Sequence, residues 1–67
     1  MKRWKVHRPL TGYLDATLQR GRMLTIPSGT ILEEMIDLND MVRVTWPGAT
    51  ESAWVYLSEI GANAGLI

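Results

Sequence analysis

Between Met41 and Trp46 apolar and polar positions alternate: Val42, Val44 and Trp46 fall on one phase, Arg43 and Thr45 on the other. That period of two, carried by β-branched residues, predicts a strand with one buried face. Leu38-Asn39-Asp40 precedes it and reads as a turn, since Asn and Asp accept left-handed backbone and bond to nearby amides. Thr30–Asp37 and Met41–Trp46 are therefore expected to form an antiparallel hairpin. Pro47-Gly48-Ala49-Thr50 supplies a second turn into Ser52–Leu57, which completes a three-strand meander. In that last strand Val55 points one way, and Trp54 and Tyr56 the other.

The segment Ile31–Ile36, ILEEMI, is ambiguous. As a strand, one phase places Glu33 with Ile31 and Met35, and the other places Glu34 with Leu32 and Ile36. As a helix it would tolerate both glutamates. Turns close it on both sides within about two helical turns, too short for an isolated helix, so a strand is expected. A β-bulge would turn one glutamate outward.

Breakers at Pro9, Gly12, Gly21, Pro27, Gly29, Pro47, Gly48, Gly61 and Gly65 leave only short pieces elsewhere. Trp4-Lys5-Val6 reads as a short strand, Thr11–Arg22 as a long polar loop, and Ala62–Ile67 as a closing strand against the N-terminus. A chain of 67 residues allows one domain with one small core. It contains no Cys and one His, which excludes disulfides and a zinc site of the usual ligands. No cofactor is implied.

Charge is balanced in number but not in position. Lys2, Arg3, Lys5, Arg8, Arg20 and Arg22 lie in the first third, and every acidic residue except Asp15 lies from Glu33 onward. The basic segment Lys2, Arg3, Trp4, Lys5 and Arg8, with one aromatic for stacking, makes a nucleic-acid interface an alternative. A net charge of zero favours the plainer reading of a solvated terminus. No apolar run approaches the roughly 18 residues of a membrane helix. The charged start has no secretory h-region, so a cytoplasmic location is expected.

Catalytic signals are weak. His7 has no Ser or Cys at a recognisable spacing, and Glu33 and Glu34 would face opposite ways on a strand. Gly61-Ala-Asn-Ala-Gly65 lacks the Lys-Ser/Thr of a phosphate loop. The chain is expected not to be an enzyme.

Four stretches together resemble the Src-homology-3-like (SH3-like) small barrels, bacterial members included. They are Tyr13-Leu14-Asp15, the turn Leu24-Thr25-Ile26-Pro27-Ser28-Gly29-Thr30, the hairpin about Asn39-Asp40, and Ala53-Trp54-Val55-Tyr56-Leu57-Ser58-Glu59-Ile60. The resemblance is strongest over residues 13–62, leaving residues 1–9 as an extra strand or arm. It implies an all-β fold, a five-stranded barrel with a long first loop and a one-turn 3₁₀ helix before the last strand. It also implies an inward Val55, packed with Val42, Val44, Leu24, Ile26 and Ile60.

In eukaryotic members a groove of aromatic residues binds proline-rich peptides. The matching positions here hold Tyr13, Met41, Trp54 and Tyr56, with Glu59 at the place of the last Tyr. Two of the groove's defining aromatics are absent, which argues against proline-peptide binding. The expectation is a protein- or peptide-interaction module that uses Tyr13, Met41, Trp54 and Tyr56, with Trp54 either exposed or completing the core. Self-association into a homo-oligomer, as an assembly element, is the further alternative.

Overall fold

A computed structural model of the protein describes residues 2–14 and 22–67. Among the described residues seven strands and one helix follow in order. They are β1 (Arg3–Val6), β2 (Leu10–Tyr13), β3 (Met23–Ile26), β4 (Ile31–Leu38), β5 (Met41–Thr45), β6 (Ala53–Tyr56), α1 (Leu57–Asn63) and β7 (Ala64–Leu66). The seven strands form one antiparallel sheet in the order β3-β2-β6-β5-β4-β1-β7, which does not close on itself.

The meander β4-β5-β6 has the turns its sequence predicts. Asn39 takes left-handed backbone, φ 52°, between Leu38 and its partner Met41. The turn from β3 to β4 needs Gly29, whose φ of 91° would strain any residue with a Cβ. There Gly29 N–H donates to the Val6 carbonyl, and the Thr30 hydroxyl to the Pro27 carbonyl. The closing strand is present too, with β7 paired antiparallel to β1 through Trp4↔Leu66 and Val6↔Ala64.

Two expectations need correction. Thr11–Arg22 is not wholly loop, because Leu10–Tyr13 is a strand paired with β3 through Leu10↔Ile26 and Gly12↔Leu24. Its one-residue alternation, Leu10 and Gly12 inward and Thr11 and Tyr13 outward, hides behind the small Gly12. That glycine suits a close approach, since a Cβ there would lie 3.1 Å from the Ala53 Cβ, tighter than an ordinary contact. The rest of the expected long loop, residues 15–21, lies outside the described residues, as does Asp15 of the aromatic-acidic run.

The second correction is the helix. Leu57–Asn63 is a seven-residue α-helix rather than one 3₁₀ turn. It is held at both ends by backbone. Leu57 N–H donates to the Asp40 carbonyl, while the Asn63 carbonyl accepts from the His7 and Arg8 amides. The Arg8 guanidinium adds a bond of 2.8 Å to the Ala62 carbonyl. Terminal carbonyls left over by an α-helix are thereby satisfied, which lets it run beyond one turn.

The curled sheet and the helix enclose one core: Val6, Leu10, Ile26, Leu32, Val42, Val44, Val55 and Ile60, all essentially inaccessible. Five of the six expected core residues are among them, and Leu24 is half-buried against their edge with Trp4, Trp46 and Ala64. Each fully buried aliphatic side chain contributes about 1.5–3 kcal/mol.

Strand β4 resolves the ambiguity of ILEEMI. Leu32 and Glu34 point inward, Glu33 outward. A bulge then lies between Glu34, opposite Val44, and Ile36, opposite Arg43. It does not release a glutamate; it moves Ile36 from the inner face to the outer one, where it is 43% exposed. Glu34 stays in, its carboxylate accepting a hydrogen bond from the Trp4 indole Nε1.

Candidate functional site

Residues directly paired across antiparallel strands present their side chains on the same face. The register therefore defines what the outer face of the sheet carries. One row runs Leu38, Met41, Tyr56 across β4, β5 and β6. The next runs Ile36, Arg43, Trp54, Tyr13, Met23 across β4, β5, β6, β2 and β3. The rows join where the Tyr13 and Tyr56 rings meet edge to face, centroids 5.9 Å apart, a favoured aromatic geometry.

All four residues expected to bind a partner thus stand on one face, contributed by three strands. They do not stand equally proud of it. Tyr13, Met41 and Tyr56 are half-buried, but Trp54 is only 8% exposed. Its ring lies beneath the Arg43 guanidinium, 5.8 Å from ring centroid to Cζ, in a cation–π arrangement. Trp54 is the floor of the surface, and the tyrosines and methionine are its contact groups.

The register also adds residues that sequence reading overlooked. Met23 (66% exposed), Leu38 (48%) and Ile36 extend the apolar surface at both ends. Leu57, at the start of α1, is exposed beside Tyr56 in sequence. Arg43 was legible only as the polar phase of MVRVTW; its position between Ile36 and Trp54 depends on the bulge. Only a strand pairing known in advance would have found it.

The basic N-terminal group is taken apart. Arg3 and Lys5 share the outer face of β1, opposite Glu33 and Ile31 of β4. Trp4 has the other phase and is bonded inward to Glu34. Arg8 is bonded to the end of α1. Lys2, Arg3 and Lys5 remain exposed, without the aromatic that base stacking requires.

A cleft of about 440 Å³ opens elsewhere, lined by Pro27, Gly29, Thr30, Ile31, Trp46 and Pro47. It contains no titratable side chain. Among the described residues no three His, Cys, Asp or Glu side chains gather as a metal site would need. Nor is any described helix long and apolar enough to cross a membrane.

Compared with models of known families, with curated proteins and with solved structures, this chain matches none. Fold and site define it as a small antiparallel-sheet protein with an aromatic, largely apolar outer face.

Proposed function

We propose that this protein is a non-catalytic interaction module that binds a protein or peptide segment on the outer-face rows centred on Tyr13, Met41 and Tyr56, with Trp54 beneath them. The observation that carries the reading is the joining of the two rows at the Tyr13–Tyr56 contact. A monomer has little reason to array Met23, Ile36, Leu38, Met41 and two tyrosines on one outer face, and such patches commonly mark contact sites. Tyrosine and methionine suit this role, one as a rigid amphipathic contact and the other as an adaptable one. A cytoplasmic setting belongs to the same proposal.

The SH3-like relationship is part of it. In that reading β4, β5, β6 and β7 are barrel strands, β2 and β3 are the two arms of the long first loop, and β1 is the extra strand or arm that precedes the resemblance. The element order supports this, with a turn at Pro27–Thr30, a hairpin at Asn39 and a helix before the last strand. The nucleic-acid alternative loses support from the inward Trp4 and the engaged Arg8.

The test is selection of random 12-residue peptides displayed on phage against the immobilised protein. Wild-type protein should enrich a related set of sequences. Tyr56→Ala, folded by its circular dichroism and melting curve, should reduce recovery of that set about tenfold or more, as loss of a central aromatic contact does. Equal recovery on the two proteins would remove the surface from consideration.

A further inference from the structure

We infer that the segment bound here is extended and acidic at its centre: a carboxylate flanked by apolar side chains, received by Arg43. This rests on the reading of the outer face as a binding surface.

Arg43 occupies the middle of the longer row, with Ile36 on one side and Trp54 on the other. Its Nε donates to the Ser52 Oγ, and its guanidinium is set over the Trp54 ring. Ser52 and Trp54 thus hold a half-buried cation in place. Among the described residues no carboxylate pairs with it; the ion pair found there is Arg22–Glu51, at 3.7 Å. Glu33, the acidic residue on the neighbouring strand's outer face, stands opposite Thr45 and not opposite Arg43.

A purely apolar partner laid across this row would strip water from the guanidinium and return nothing for it. A basic partner would meet like charge. A carboxylate restores the lost hydrogen bonds with charge-assisted ones, for which the free edge of a guanidinium is shaped. A phosphate chain is disfavoured by the same surroundings. The row holds a single cation among Ile36, Trp54, Tyr13 and Met23, and Arg3 and Lys5 lie on β1, beyond β4. A polyanion binder needs a track of basic groups.

Spacing sets the pattern of the segment. Adjacent strands are about 4.8 Å apart, and alternate side chains of an extended chain are about 6.7 Å apart. A peptide running across the strands with its carboxylate at Arg43 places the side chains two positions away near Ile36 on one side. On the other side they fall between Trp54 and Tyr13. Apolar–x–acidic–x–apolar is the motif the row accepts.

The phage selection, repeated with Arg43→Glu and Arg43→Gln, tests this. Wild-type protein should enrich peptides with Asp or Glu between apolar residues, Arg43→Glu should enrich Lys or Arg at that place, and Arg43→Gln should show no charge preference. One enriched peptide, made synthetically with a fluorescein label, should weaken about tenfold on wild-type protein when its acidic residue becomes the amide. On Arg43→Gln the same change should have little effect. Circular dichroism of each variant establishes that it is folded.

Enrichment without acidic bias, or with the same sequences on wild type and Arg43→Glu, overturns the inference and leaves the binding surface standing. Failure to enrich any peptide overturns both. Light scattering that shows a wild-type dimer, dissociated by Tyr56→Ala, would make a second copy of the chain the occupant and also overturn the acidic-peptide assignment.

Discussion

Glu34 and Trp4 show how one pair of residues settles a strand's phase. A carboxylate pointing into a small core is costly unless a donor meets it, and Trp4 Nε1 is that donor. The inward phase of Leu32 is thereby compatible with a glutamate two positions on. Trp4→Phe keeps most of the ring but removes the donor, so it should destabilise the fold by about 1–3 kcal/mol. Adding Glu34→Leu to that variant removes the stranded acceptor and should recover much of the loss. Urea unfolding midpoints of the single and double variants check this; a double variant weaker than Trp4→Phe alone would mean that the carboxylate has another role. The sequence showed that one glutamate of ILEEMI must face the core side. It did not show which, because the deciding partner lies thirty positions away at residue 4.

At the scale of elements, legibility followed locality. Val42, Val44 and Thr45 announce β5, and Asn39 and Gly29 sit at turns with positive φ, which Asn tolerates and Gly, lacking a Cβ, adopts freely. Strand β2 was concealed because Pro9 and Gly12 read as breakers, whereas Gly12 is present to let β2 approach Ala53 of β6. The length of α1 was concealed for a related reason: it depends on a segment far away in the chain. Propensity predicts little for a seven-residue helix. Its last carbonyls are taken by the His7 and Arg8 amides and the Arg8 side chain. Arg8→Ala should leave the two amide bonds and lose the exposed side-chain one, together with a cation near the helix C-terminus. A loss of about 0.5–1 kcal/mol in urea unfolding is expected, with faster amide exchange in α1 and β7 than elsewhere. Unchanged exchange there would show that the side chain is dispensable to the helix.

Across the whole molecule, one sheet serves two faces. Its concave side holds the eight-residue core, drawn from six strands and the helix. Its convex side carries the aromatic rows and Arg43. The interior of the sheet, β4-β5-β6, is flanked on both sides, while β3 and β7 are the edges. Native-state hydrogen exchange should therefore be slowest for the inner amides of β5 and β6 and fastest in β7, an edge strand of only three residues. Equal protection in β5 and β7 would show that the chain opens only as a unit.

By itself the sequence determined the β character, the meander and the turns on either side of β5, because alternation and turn chemistry act over a few neighbouring residues; most of the core was an expectation from the resemblance to SH3-like barrels. The same resemblance, rather than any local pattern, put Tyr13, Met41, Trp54 and Tyr56 together as candidates. Only the tertiary structure decided that Trp54 lies under Arg43 as a floor, that Ile36, Leu38 and Met23 lengthen the surface, and that Trp4 and Arg8 serve the fold. Each of these depends on which residues of distant strands stand opposite one another. A bulge of one residue in β4 is enough to change that answer.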